Sequence, residues 1–284
     1  MNAPESTTGR LQAGLLSGCL AVALMAGGNG TPSGAQRISR SAAQDPQAPS
    51  SVIVTAGGED CSGTLIGPSV LLTSAHCLSG QPSQIVRISL FMHSRSQRRM
   101  AGGRLPDGDG SDVVTVIHVP GKCTPLHADG NCPDVPDVAL CRMIDPSDRL
   151  GRLKPFATVG HSDLSQSPNA PLLVLGFGGS PFGTLKTIAA TLDTRAGPSN
   201  GCARIRSPQP SVVQGDSGGG VYLRTADGRG ALVGVISSQC KVEGDPCGIS
   251  NLATPEVTAF FNQTRAKGVK ICGFDADLRG SCEP

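Results

Sequence analysis

Short apolar runs separated by turn residues dominate the chain from Ser51 onward. Six runs rich in β-branched and aliphatic residues are predicted strands, at residues 51–55, 62–66, 70–74, 85–91, 113–119 and 138–143. Residues 160–169 are polar, and at least four more predicted strands follow, at 172–175, 185–192, 221–224 and 232–237. This order predicts an all-β chain of two tandem antiparallel β-barrels, the first over residues 51–159 and the second over 160–284.

One helix is predicted near the C-terminus of the second barrel. Thr254 is a suitable N-cap and Pro255 suits the first helical position. Apolar residues recur at i, i+3 and i+4 from Val257, and Gly268 ends the pattern.

The first 35 residues have the features of an export signal. Arg10 precedes an apolar run over residues 11–26, and small side chains precede Ala35, after which we expect cleavage. Residues 36–50 then form a spacer or pro-segment. Two alternatives stay open: an uncleaved membrane anchor, and acylation of Cys19 in a lipobox-like LSGC segment.

Composition narrows the function classes. The 24 Lys and Arg nearly balance the 22 Asp and Glu, for a net charge of +2 over 284 residues, which argues against a nucleic-acid or polybasic membrane surface. Seven Phe, one Tyr and no Trp make stacking on single-stranded nucleic acid a poor explanation. No other run is long and apolar enough to span a bilayer, so we expect no membrane insertion after processing.

Cysteine usage indicates an oxidising compartment. Of the 11 Cys, only Cys19 lies in the export segment, and the other ten suggest a disulfide framework. We therefore expect a secreted or periplasmic protein.

Three short segments carry residues suited to nucleophilic catalysis: LTSAHC at 72–77, DVAL at 137–140 and QGDSGG at 214–219. A serine hydroxyl needs a neighbouring base, and that base needs an orienting acceptor. His76 ends one apolar run, Asp137 opens another, and Ser217 lies among glycines. These glycines allow a sharp turn that aims the N–H groups of Gly215 and Ser217 at a developing oxyanion.

Each of these segments, taken alone, is more often a structural feature than a catalytic one. All three together, in the order His, Asp, Ser in an exported β-rich chain, are hard to explain by coincidence. The order His, Asp, Ser resembles that of the trypsin/chymotrypsin-like serine protease family. Further segments from 51 to 261 resemble the same family: CSGTLI at 61–66, VIHVP at 116–120, LGFG at 175–178 and LVGVIS at 232–237.

The resemblance implies a secreted endopeptidase of bacterial type that forms an acyl-enzyme and acts as a monomer on polypeptide substrates. It implies the catalytic residues His76, Asp137 and Ser217, an oxyanion hole at Gly215 and Ser217, and no cofactor. Asp112 and Asp134 are rival acids. Asp112 precedes the family's VIHVP segment, and no strand follows Asp134 directly.

The positions of the cysteines and of the acidic residues suggest disulfide pairs and one candidate metal site. We expect the pairs Cys61–Cys77, Cys123–Cys132 and Cys272–Cys282, and the pairing of the other four cysteines stays open. Carboxylates crowd residues 107–112, where some relatives bind calcium, but the spacing does not fit an EF-hand. We expect a solvated acidic turn and no metal.

The substrate-binding residues implied are Ser211, Val212, Ser237, Gln239 and Gly248. Ser211 would form an uncharged pocket floor, Val212 an apolar wall, and Gln239 a narrowed mouth opposite Gly248. Ser237 would begin the strand that bonds substrate backbone. We expect small or medium apolar side chains before the scissile bond. The alternative is a basic preference set by Glu243 or Asp245 in the adjacent loop.

In the family, a freed amino group pairs with the acid before the nucleophile, here Asp216. Gln36 and Ile38 are the candidate new N-termini, although the usual start motif is missing. The alternative is an internal partner for Asp216 that makes processing unnecessary.

Two other functions are compatible with parts of this sequence. A catalytically idle homologue could bind partners through the same fold, but the residues of the triad and the oxyanion loop are all present. An esterase of the α/β-hydrolase type would share the Gly-x-Ser-x-Gly pattern, but its triad ends in His, whereas here His comes first.

Overall fold

The structure is a computed structural model of the chain. It describes residues 37–38, 50–78, 85–92, 112–113, 115–128, 130, 132, 134–144, 155–164, 168, 170–179, 183, 185–195, 201–207, 212–224, 230–240, 246–278 and 280–282. The predicted signal peptide, Cys19, most of the spacer and of the acidic 107–112 turn, Ser211, Glu243 and Asp245 lie outside these residues.

Eight strands are described in the first half of the chain. They are β1 (Arg37–Ile38), β2 (Ser51–Ala56), β3 (Glu59–Gly67), β4 (Val70–Thr73), β5 (Ile85–Met92), β6 (Asp112–Val113), β7 (Thr115–Pro125) and β8 (Ala139–Met143). Six of them close into an antiparallel barrel in the order β2-β3-β4-β8-β7-β5, while β1 and β6 pair as a separate ribbon.

The second half forms another closed barrel of six strands. They are β9 (Pro171–Gly176), β10 (Lys186–Leu192), β11 (Cys202–Arg206), β12 (Gly220–Arg224), β13 (Gly230–Ile236) and β14 (Cys247–Asn251). Their order is β10-β11-β14-β13-β12-β9, and every pairing is antiparallel. The predicted double barrel is confirmed. The prediction missed β11 and β14 because they are short and carry polar and charged residues among few apolar ones.

The continuous apolar runs arise because many strands are buried on both faces. In β2, Val52 and Val54 point into the first barrel, whereas Ile53 joins a cluster shared with Leu175 and Tyr222 of the second barrel. Strand residues normally alternate between core and solvent, so burial of both faces indicates that the barrels pack against each other through these strands.

Helix α1 (Pro255–Arg265) begins where the capping signals predict. The Thr254 hydroxyl accepts a hydrogen bond from the Val257 N–H at 3.3 Å. Val257, Phe260 and Phe261 are buried in the cluster between the barrels, so the helix covers one side of that seam. Among the residues that the structure describes, no helix is long and apolar enough to cross a membrane.

Five disulfides cross-link the chain, and they correct one expected pair. Cys61–Cys77 and Cys272–Cys282 are present as expected. The Cys123–Cys132 prediction is wrong, because Cys123 lies directly opposite Cys141 on β8 and bonds to it. Cys132 instead joins Cys202 at the start of β11, and Cys240 joins Cys247. Cys132–Cys202 therefore links the segment before Asp137 to the second barrel.

We predict that the long-range Cys132–Cys202 link stabilises the fold more than the local Cys272–Cys282 link. The two bonds span 70 and 10 residues. Loop-closure entropy suggests that they add at most about 4 and about 3 kcal/mol, respectively, to the free energy of unfolding. Urea unfolding of the two Cys-to-Ser double variants under non-oxidising conditions measures the difference. A larger loss in the Cys272/Cys282 variant would contradict the prediction.

Candidate active site

His76 and Asp137 are brought together by two neighbouring strands. His76 begins a short 3₁₀ turn, His76–Leu78, just after β4, and Asp137 comes just before β8. Because β4 pairs with β8 in the register Thr73 to Ala139, the end of one strand lies beside the start of the other. The Asp137 Oδ2 lies 2.5 Å from His76 Nδ1, and Oδ1 accepts from the His76 backbone N–H at 2.9 Å. The Cys61–Cys77 disulfide holds the turn against β3.

The Asp137 carboxylate is fully buried but well supplied with donors. Besides His76, the Ser237 hydroxyl donates to Oδ2 at 2.7 Å. The Asp137 N–H donates to the Ser250 hydroxyl at 2.8 Å, so residues of the second barrel contact an acid carried by the first. A buried carboxylate with several donors is held in one orientation. The rival Asp134 is exposed.

Opposing effects act on the pKa of the His76 imidazole. Burial lowers its pKa, but the hydrogen bond and the charge of Asp137, with a smaller effect of Glu59, outweigh burial and place the pKa above its ordinary value of 6.5. The side chain is still 37% exposed, so a substrate could reach it. The ring is oriented with Nδ1 toward Asp137, which leaves Nε2 as the nitrogen available for proton transfer.

The loop that carries Ser217 is pressed against the strands that precede His76. The Ser217 carbonyl accepts from the Ser62 N–H at 2.7 Å, and the Gly218 N–H donates to the Ile236 carbonyl at 2.8 Å. Gly218 has φ +84°, and a Cβ there would collide with the Ser62 carbonyl and the Thr73 hydroxyl. Only glycine fits this approach. Among the hydrogen bonds of the described residues, none joins Ser217 Oγ to His76 Nε2. In unliganded active sites, catalytic hydrogen bonds are often long or poorly aligned and shorten when substrate binds.

Two backbone N–H groups of this loop, those of Gly215 and Ser217, lie opposite the carbonyl hydrogen bonds that hold their peptides. The Gln214 carbonyl accepts from the Gly179 N–H at 3.2 Å. In a trans peptide the N–H lies opposite the carbonyl, so the Gly215 N–H faces the other side. The Gly215 carbonyl accepts from Ser62 Oγ at 2.8 Å. The Asp216 carbonyl accepts from the Gly219 N–H at 2.9 Å, so the Ser217 N–H, which belongs to the same peptide, faces away from that bond. Within the described part of the chain, neither the Gly215 nor the Ser217 N–H has a hydrogen-bond partner.

Asp216, between these two donors, is fully buried under β9. Its Oδ1 accepts from the Gly178 N–H and its Oδ2 from the Val213 N–H, both at 2.8 Å. Lys186 Nζ lies 2.7 Å from Oδ2. Burial raises the pKa of Asp216 above its ordinary value, and Lys186 with the two N–H groups opposes that rise only in part. The counter-charge is therefore an internal lysine rather than the freed amino group expected from the family.

The predicted substrate-binding residues have distinct surroundings. Val212 is buried in the core of the second barrel, whereas Gln239 is exposed. The Ser237 N–H donates to the Gly248 carbonyl at 2.9 Å, and Gly248 is half-buried. A Cβ at Gly248 would contact Ser238 and Cys132. Ser211, the expected pocket floor, lies outside the described residues.

A metal-like grouping in the described residues has a simpler explanation. Cys61, His76 and Cys77 lie within 4.8 Å of one another. Both sulfurs are joined in a disulfide and offer no thiolate to a metal.

The sequence of this chain was compared with those of known protein families. The trypsin family model matches residues 37–259, most of the chain. The chain belongs to the trypsin family. Its two closed barrels and C-terminal helix are those of a trypsin-like serine protease. No curated protein matches the chain significantly.

Three residues of this trypsin-family site make contacts that the sequence does not predict. Ser62 bridges β3 to Gly215 and Phe177, Ser237 bonds Asp137, and Lys186 bonds Asp216. Ser62 and Ser237 are both buried. Their position as small polar residues inside apolar segments is the signal that the sequence offers for them.

We predict that Asp137→Asn lowers the pKa of His76. The substitution removes the negative charge and replaces one carboxylate oxygen by an NH₂ donor, so the two effects that raise this pKa are lost or weakened, while burial still opposes protonation. NMR titration of the imidazole measures the change without any need for activity. Asp134→Asn, an exposed acid three residues away, serves as the matched control and should leave the titration unchanged. An unchanged or higher pKa in Asp137→Asn would show that Asp137 does not set the charge of the imidazole.

Proposed function

We propose that the protein is a secreted serine endopeptidase that cleaves polypeptides through an acyl-enzyme at Ser217. The observation that carries the proposal is the hydrogen bond of His76 to the buried Asp137, beside a glycine-rich loop whose Gly215 and Ser217 N–H groups have no partner among the described residues. Five disulfides suit an oxidising compartment, which supports export.

The first half-reaction forms the acyl-enzyme. Ser217 Oγ attacks the peptide carbonyl carbon and gives its proton to His76 Nε2, while Asp137 stabilises the imidazolium. The carbonyl oxygen becomes an oxyanion facing the Gly215 and Ser217 N–H groups. The C–N bond then breaks, and His76 returns the proton to the leaving amine.

The second half-reaction repeats these roles with water. His76 takes a proton from water as the oxygen attacks the acyl carbon, and the proton then passes to Ser217 Oγ as the acid product leaves. Since His76 must be neutral to act as base, its raised pKa places the acidic limb of kcat/KM above the pH expected for an ordinary histidine.

We predict that a fluorophosphonate labels Ser217 and that Ser217→Ala and His76→Ala abolish both labelling and peptidase activity. Loss of either residue removes at least about 10⁴-fold in turnover. Peptide mapping identifies the labelled residue, and Ser162→Ala, an exposed serine outside the site, is the matched control. A folded wild type that is neither labelled nor active would instead favour the idle, partner-binding homologue.

We also predict cleavage after small or medium apolar side chains. The family position of the pocket floor is Ser211, which carries no charge, and each buried methylene adds about 0.8 kcal/mol. A fluorogenic library varied at this one substrate position measures the preference. Ser211→Asp should shift the preference toward Arg and Lys. If Arg or Lys substrates exceed Leu, Ala and Val by tenfold in the wild type, the alternative role of Glu243 or Asp245 is favoured and the neutral pocket is wrong.

A further inference from the structure

The ion pair of Lys186 and Asp216 lies directly behind the two proposed oxyanion donors. Lys186 is the first residue of β10, and its Cα is paired with that of Gly176 on β9. This pairing delivers Nζ past Gly179 to a point 2.7 Å from Asp216 Oδ2. The lysine therefore approaches Asp216 from the strand pair that also covers it.

The glycines of β9 and the following turn make room for this carboxylate. A Cβ at Gly176 or at Gly178 would collide with the side chain of Asp216. The carboxylate is consequently enclosed, and an unpaired charge there would cost several kcal/mol. Lys186 supplies the opposite charge, and the N–H groups of Gly178 and Val213 supply the remaining donors.

The backbone of Asp216 is held on both sides in addition to its side chain. Its backbone N–H donates to the Val213 carbonyl at 3.0 Å, and its backbone carbonyl accepts from the Gly219 N–H at 2.9 Å. The Gly215 N–H is one residue before this anchor and the Ser217 N–H one residue after it. A displacement of Asp216 would therefore move both donors, and donors act on an oxyanion only when they are placed to within a few tenths of an ångström.

Ile38, one of the two candidate new N-termini, pairs through its backbone with Asp112 in the β1–β6 ribbon. Asp216 has its counter-charge from a side chain of the second barrel, without any freed amino group. Processing before Ile38 is thus not needed to neutralise Asp216.

We propose that Lys186 is a positioning residue that holds the Gly215 and Ser217 N–H groups through Asp216, so that the protease is active without a freed amino terminus. The inference rests on the proposed peptidase function and adds its regulation: the site is formed constitutively. Lys186 touches neither substrate nor the reacting atoms, so its effect falls on the transition state rather than on substrate binding.

The first test removes the charge and keeps the shape. Lys186→Met should lower kcat at least about 100-fold, the scale of a lost oxyanion donor, with little change in KM. Lys186→Arg, which keeps the charge, should recover a large part of kcat. Arg206→Met is the matched control, because it breaks another partly buried ion pair of the same barrel, with Asp193, and should keep kcat within about twofold.

Chemical rescue separates positioning from general stability. The Lys186 side chain is 27% exposed, so a small cation can reach the space left by Lys186→Ala. n-Propylammonium, which matches the deleted atoms, should restore kcat in a saturable way. Tetramethylammonium and KCl at the same ionic strength should not. Because rescue is read against the untreated variant, it remains informative if Lys186→Met folds poorly.

A second test examines the amino terminus. The fluorophosphonate-labelled wild type should include protein whose N-terminus lies before Ile38, seen by intact mass, and Arg37→Gln should keep full activity. A variant with Gly-Ser inserted between Ala35 and Gln36, which displaces the amino group that signal cleavage frees at Gln36, should also remain labelled and active. If labelled protein begins only at Ile38 and Arg37→Gln is inactive, the freed amino group is required and the inference is overturned.

These experiments distinguish failure of the peptidase function from failure of the role of Lys186. A folded wild type without labelling at Ser217 would remove the peptidase function and the inference together. A labelled, active wild type with kcat unchanged in Lys186→Met, or lowered equally in Arg206→Met, would overturn the role of Lys186 alone.

Discussion

A buried carboxylate with its donors is the constraint on which the Ser217 loop depends. Asp216 is enclosed by glycine backbone, bonded by two N–H groups and paired with Lys186. A charge in that place is tolerated only when every oxygen has a donor and a cation is near. This requirement links the loop conformation to β9 and β10, and it leaves the Gly215 and Ser217 N–H groups without a hydrogen-bond partner in the described part of the chain.

The rest of the site exists only where the barrels meet. Asp137 comes from the first barrel but is bonded by Ser237 and Ser250 of the second, and Ser62 of the first barrel holds Gly215 of the second. The Cys132–Cys202 disulfide crosses the same boundary. Strands buried on both faces supply the apolar contact that keeps these polar groups in register. The geometry of the site therefore depends on the packing between the two barrels.

Much of this architecture is readable from the sequence, and the gaps have physical causes. Apolar runs mark the strands that both barrels bury, and Thr254 and Pro255 mark α1 because capping is local. β14 was missed because its glycine, serine and asparagine give no apolar run. Cys123 was mispaired because cross-strand register, which places it opposite Cys141, is not encoded by spacing. The Lys186–Asp216 contact joins residues 30 positions apart through strand pairing, so no local pattern indicates it.

A crystal structure of the protein bound to a peptide boronate, with an apolar residue at the reacting end, would test the proposed site most directly. We expect a boron bonded to Ser217 Oγ, with one boronate oxygen about 2.7–3.1 Å from both the Gly215 and Ser217 nitrogens. His76 should remain bonded to Asp137, and Lys186 to Asp216, in a chain uncut before Ile38. A boronate that leaves Ser217 unmodified, or an oxygen that faces away from these two nitrogens, would contradict the account.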